Sequence, residues 1–268
     1  MRKRVFVLFM VLVVLAVGVM PAGAVTDGEL DGEGHPYVGL VVAQDADGTP
    51  LWRCSGTLIS KTVFLTAGHC TEAPAAHMEI WFDSDVESGI PENGYPFDGD
   101  VGGTPYTHPS YNPNAFYLFD LGVVVLDKPM KMSAYGALPK QDVLSQLATR
   151  RGTQNVTFTA VGYGLQMSFP TAAEWKEHNV RVRMVAYPHL IQIDGGLVGD
   201  FSILLSNNAN TGGTCFGDSG GPNFIGNTKV VAGVTSFGLN GNCAGTGGVY
   251  RVDKADDLAW LATFGVTP

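Results

Sequence analysis

Apolar residues in this chain fall into short runs instead of long helical stripes. Such runs occupy 37–43, 51–60, 78–82, 121–126, 155–163, 201–205, 229–236 and 248–252, and Gly, Pro, Asn or Asp stands in nearly every gap. Short runs punctuated in this way predict strands joined by turns. The clearest alternation spans 179–187, where Val180, Val182, Met184 and Ala186 share one side and Arg181, Arg183, Val185 and Tyr187 the other. That is the pattern of a strand with one buried face. One helix is predicted late in the chain, capped by Asp253, with Leu258, Trp260, Leu261 and Phe264 at helical spacings on one side. A shorter helical candidate covers 141–149. No repeat of fixed period is visible, so a propeller or solenoid is not supported.

The strand-rich segments divide into two halves near 134–152, a stretch carrying Pro139, Lys140-Gln141 and Arg150-Arg151. Each half is large enough for a small barrel, and two barrels packed together leave a cleft in which reactive groups can be assembled. The expected fold class is therefore all-β, antiparallel, with two packed barrels at 25–138 and 139–268 forming one unit and a helix following the second.

Composition narrows the class. With 35 Gly, 45% hydrophobic and only 15% charged residues among 268, the chain is neither disordered nor collagen-like. Arg2, Lys3 and Arg4 precede an uncharged run of 16 residues, 5–20, and Ala22-Gly23-Ala24 offers small residues at a cleavage position. A retained anchor needs roughly 20 apolar residues and a basic stop. Residues 1–24 are thus expected to be a secretory signal, the product secreted without stable membrane association. Removal leaves 13 basic against 25 acidic residues, a net charge of −12, which disfavours nucleic acid as a partner. The acidic clusters 27–33 and 83–87 lack an ordered calcium-ligand pattern. Cys54, Cys70, Cys215 and Cys243 would meet an oxidising compartment, and four cysteines allow three pairings.

Three segments carry nucleophilic chemistry: Thr66-Ala67-Gly68-His69-Cys70, Asp120-Leu121-Gly122-Val123-Val124-Val125-Leu126, and Gly217-Asp218-Ser219-Gly220-Gly221-Pro222. A serine hydroxyl attacks well only when an imidazole takes its proton and a carboxylate orients that imidazole. Gly217 to Gly221 also fits the nucleophile elbow of α/β-hydrolases, but in that fold the histidine follows the serine, and all six histidines here precede Ser219. The subtilisin order, Asp then His then Ser, needs helices alternating with parallel strands, which the pattern lacks. His69, Asp120 and Ser219, in that order, remain. A zinc site at His69 and Cys70 is disfavoured, because neighbours on an extended segment point to opposite sides. No metal or cofactor is implied.

These motifs resemble the chymotrypsin-like (trypsin-like) serine proteases, in a bacterial-type secreted form. The likeness continues in 54–59, Gly162-Tyr163-Gly164, Ser236-Phe237-Gly238 and 248–252, and so covers nearly all of 25–264. It implies two six-stranded barrels and a monomeric endopeptidase acting on protein or peptide substrates. Ser219 would be the nucleophile, His69 the base and Asp120 its orienter, with the N–H groups of Gly217 and Ser219 as oxyanion hole. It implies disulfides Cys54–Cys70 and Cys215–Cys243, closing loops of 16 and 28 residues worth roughly 3 kcal/mol each in the chain-entropy picture. Gly213 would be the pocket floor, with Thr214 and Phe216 beside it, Gly238 and Gly248 keeping it open, and Ser236, Phe237 and Gly238 pairing with substrate. An uncharged residue before the scissile bond is then expected. Val25, with Thr26-Asp27 in place of Val-Gly, would be the new N-terminus whose amine pairs with Asp218. The competing reading is a catalytically silent homologue used for binding.

Overall fold

The computed structural model describes residues 25–148, 155–166, 179–196 and 198–268. The expected signal segment and Arg150-Arg151 lie outside the described residues. Strand β1 (Glu29–Leu30) comes first, then β2 (Val38–Gln44), β3 (Pro50–Leu58), β4 (Val63–Thr66), β5 (His77–Trp81), β6 (Val101–Thr107) and β7 (Gly122–Leu126). The last six close a barrel in the order β2-β3-β4-β7-β6-β5, every neighbouring pair antiparallel. Close approach inside this small barrel needs a residue without a side chain: a Cβ on Gly56 would sit 2.3 Å from the Phe64 ring.

The second half contains β8 (Phe158–Gly162), β9 (Met184–Ala186), β10 (Leu190–Ile193), β11 (Ser202–Asn207), β12 (Pro222–Ile225), β13 (Val231–Gly238) and β14 (Gly245–Arg251). Their sheet runs β1-β9-β8-β12-β13-β14-β11-β10. The Thr157–His189 bridge, with Phe158 N donating to Pro188 O and Leu190 N to Val156 O at 2.9 Å each, brings β10 back to β8. With β9 and β10 taken as one strand interrupted at Tyr187-Pro188, the second half is also a six-stranded ring, and β1 lies on its edge beside β9. The fold is two β-barrels with a helix after the second. The largest core cluster spans both, with Tyr37, Leu58 and Phe64 joining Tyr163, Phe224, Val234 and Tyr250, while a separate cluster that includes Phe158, Leu190, Ile203, Leu205 and Val249 fills the second half. The bridges are Cys54–Cys70 and Cys215–Cys243, as the resemblance implies.

Three local expectations need correction. In 179–187 only Met184–Ala186 is strand, and the second side is covered too, because Arg183 and Val185 are both buried. Arg183 is held there by Asp31 at 2.8 Å and by the Tyr163 hydroxyl and the Val38, Phe82 and Gly32 carbonyls. A buried guanidinium with that many acceptors reads as polar in the sequence and as core in the fold. The candidate helix 141–149 forms only a 3-10 turn, Leu144–Leu147, and Thr149 falls outside the described residues. The final helix is Ala255–Ala262, capped at Lys254 without a side-chain bond. Asp253 does not cap it. Its carboxylate is taken by Arg251 at 2.9 and 3.0 Å and by Leu144 N at 2.8 Å.

Candidate active site

His69 stands on a single helical turn, Gly68–Thr71, directly after β4, so it and Cys70 are not on the extended segment that the sequence suggests. The Cys54–Cys70 bond pins this turn to β3. Asp120, fully buried, precedes β7. Its Oδ1 accepts the His69 backbone N–H at 2.9 Å, and its Oδ2 lies 2.9 Å from Nδ1 of the ring. A carboxylate can only accept, so Nδ1 carries the proton and Nε2 is left as the basic nitrogen. Ser236 Oγ donates to the same Oδ2 at 2.5 Å. This third donor was missed in the sequence, where Ser236 reads only as substrate-pairing; a contact spanning 116 positions leaves no local trace.

Burial opposes charging of the His69 ring, but the Asp120 charge, its hydrogen bond and the nearby Glu72 outweigh it and raise the ring's pKa above its ordinary 6.5. A raised histidine pKa means that the protonated ring stabilises the fold below the unfolded value, and that this contribution is lost as pH rises through the folded value. Nε2 becomes a base over that same interval. The acid limb of kcat/KM is therefore expected to fall above pH 6.5 and to move downward in Asp120→Asn, measured on a neutral peptide.

Ser219 sits between Gly217 (φ +97°) and Gly220 (φ +77°), two left-handed positions that suit glycine. A Cβ on Gly220 would lie 2.0 Å from Thr66 Oγ1 and 2.7 Å from Ala67 N, so the serine turn abuts the residues leading into His69. Strand β3 of the first barrel clamps the turn: Ser55 N donates to Ser219 O at 2.8 Å and Ser55 Oγ to Gly217 O at 2.9 Å. Thr66 Oγ1 in turn donates to Ser55 O at 2.8 Å. The N–H groups of Gly217 and Ser219 donate to no acceptor among the described residues. Ser219 Oγ is likewise not hydrogen-bonded to His69. Asp218 is fully buried, accepting Gly164 N at 2.8 Å and Cys215 N at 2.9 Å, and burial pushes its carboxyl up to about 7.

A cavity of about 380 Å³ opens at Ser219, walled by Thr214, Phe216, Ser236, Phe237 and Gly238, with Leu239, Asn240 and Gly241 also reaching it. Two expected pocket residues do not line it. The space over Gly213 is filled by Asn207, whose Cγ would be 2.3 Å from a Cβ there, and the Phe237 ring covers Gly248 at the same distance. Val25 is fully buried against Met184 and Ala186, and Thr26 pairs with Gly213. Cys54, His69 and Cys70 also gather within 4.8 Å, but both sulfurs are spent in the disulfide and cannot ligate a metal.

Comparison with known proteins gives this geometry a context. The family model described as Trypsin matches residues 31–258. Phenoloxidase-activating factor 3 of Holotrichia diomphalia is 25% identical over 247 residues, which are 85% of this chain and 68% of that protein. Ovochymase of Halocynthia roretzi is 25% identical over 205 residues, 74% of this chain but 12% of that protein. Among solved structures, HL collagenase superposes with a TM-score of 0.68 at 21% identity, covering 91% of this chain and all of that one. Human heparin binding protein superposes at 0.60 with 20% identity, covering 87% and 92%. The structural likenesses are to the fold. The expectation of a bacterial-type member is not borne out by these relatives.

Proposed function

The chain belongs to the trypsin family, and from that premise we propose that it is a secreted serine endopeptidase. The observation that carries this reading is the buried Asp120 carboxylate fixing the His69 tautomer at 2.9 Å while the serine turn is clamped beside it by Ser55. Ser219 Oγ attacks the peptide carbonyl and passes its proton to His69 Nε2, which returns it to the leaving amine. Asp120 holds the ring through Nδ1. The uncommitted N–H groups of Gly217 and Ser219 receive the oxyanion. No helix among the described residues is long and apolar enough to cross a membrane. A serine-directed phosphonate is expected to label Ser219 in the native chain and not after denaturation. Absence of labelling would favour the silent binding homologue.

Among the described residues, the cavity wall carries no ionisable side chain that could bind a cation. Burying a lysine or arginine side chain against it, unpaired, would cost several kcal/mol on the order of known desolvation penalties. Phe, Tyr, Leu or Met is therefore expected before the scissile bond in a peptide library, ahead of Lys or Arg. Dominant cleavage after Lys or Arg would overturn that assignment and require an acidic group beyond Thr214 and Ser236.

A further inference from the structure

Thr26 stands where the resemblance expects valine, and its hydroxyl is not idle. Fully buried, its Oγ1 donates to Asn207 Oδ1 at 2.6 Å and lies 3.1 Å from Gly213 O, while Gly213 N donates to Thr26 O at 3.0 Å. Asn207 ends β11, is buried, and uses Nδ2 to donate to Thr214 O at 2.8 Å. A backbone carbonyl only accepts, so the Asn207 nitrogen must face Thr214, and its oxygen is thereby turned to Thr26. Thr214 is part of the cavity wall with Ser219. A continuous polar relay thus runs from the second residue after the expected cleavage point to the substrate cavity.

We propose that Thr26 and Asn207 are a matched pair of positioning residues that dock the N-terminal segment behind the cavity and set Thr214 for substrate. The proposal rests on the endopeptidase reading for its kinetic arm only. Valine has the shape of threonine but would strand the Asn207 oxygen in a buried site, whereas serine keeps the donor. The pair acts through neutral side-chain hydrogen bonds, so its contribution is separable from that of an α-amine. It acts on a wall that touches substrate before and during reaction alike, so its loss reads as KM.

The test compares Thr26→Val and Thr26→Ser in the secreted chain. Thr26→Val is expected to raise KM about five- to tenfold with kcat nearly unchanged, the size of one buried hydrogen bond, and Thr26→Ser to restore it. Hydrogen exchange at the Gly213 amide supplies a readout free of turnover, with protection falling about tenfold in the valine variant alone. If Thr26→Val fails to fold, Asn207→Asp tests the same relay, because it keeps the acceptor for Thr26 and loses the donor to Thr214. Unchanged KM and unchanged Gly213 protection in Thr26→Val would overturn the relay, as would a serine variant as impaired as the valine one. A wild-type chain that hydrolyses nothing, yet shows the exchange difference, would overturn the endopeptidase reading and leave the docking intact.

Discussion

Ser219→Ala and His69→Ala are each expected to lower kcat for a peptide substrate by about 10⁴-fold or more, and the double variant to be hardly worse than either. Non-additivity follows from the mechanism, since a base without its nucleophile, or the reverse, transfers no proton. The magnitude is that of serine hydrolases in general, and the local geometry supplies the direction. Asp120→Asn is expected to match them within a factor of about ten. An asparagine nitrogen facing Nδ1 would favour the wrong ring tautomer, and it would also meet the Ser236 hydroxyl that now donates to Oδ2 at 2.5 Å. Neither the serine nor the histidine change should lower Tm by more than a few degrees, because the turns that carry them are held by Ser55, Thr66 and Cys70. Ser219→Ala enzyme retaining most of its activity would remove the proposed mechanism.

A single residue added before Val25 is expected to lower kcat on the order of a hundredfold, the range of losing one oxyanion donor. Asp218 is fully buried, receives two backbone N–H bonds, and is pushed up to about 7, so it is ready to lose its proton if a cation arrives. Freed by cleavage, the Val25 ammonium would be that cation, ionising Asp218 and fixing Gly217 beside it. Pairing raises an α-amine above its usual pKa of about 7.7 to 8.0, so the benefit is full below that range and fades as pH climbs through the paired value. Activity should then decline on the alkaline side in the chain beginning at Val25 and be low throughout in the extended one. Undiminished activity in the extended chain would show that the amine is not used. This effect falls on kcat and the Thr26 effect on KM, which separates the two.

The architecture was legible because strands in small barrels need turns, and Gly, Pro, Asn and Asp mark turns locally. Strand β6 escaped for the same reason: Gly102, Gly103 and Pro105 look like a turn, yet a Cβ on Gly103 would lie 2.6 Å from Val124, so the glycine is a packing requirement within the strand. His69 and Asp120 were legible from order and motif. Ser236 as a donor to Asp120 was not, nor Leu144 N on Asp253, because these contacts span 116 and 109 positions; Asn207 over Gly213 and Asp253 facing Arg251 are near in sequence, but which way those side chains turn is set by the tertiary packing and leaves no periodic signature. Arg183 misled the periodicity argument by being polar and buried at once.

The helix Ala255–Ala262 follows both barrels in the chain, yet it leans on the first one. Trp260 meets His108 edge-on at 5.0 Å, Phe264 just beyond it meets Tyr106 at 5.4 Å, and His108 N is bonded to Leu121 O, next to Asp120. His108 also stacks on Phe119 at 5.1 Å, on the other side of Asp120. During synthesis the first barrel can close long before this helix exists, but the segment bearing Asp120 is still without its outer support. The order of translation thereby sets an order of assembly: the rings that flank Asp120 gain their last packing partner only when the end of the chain has been made.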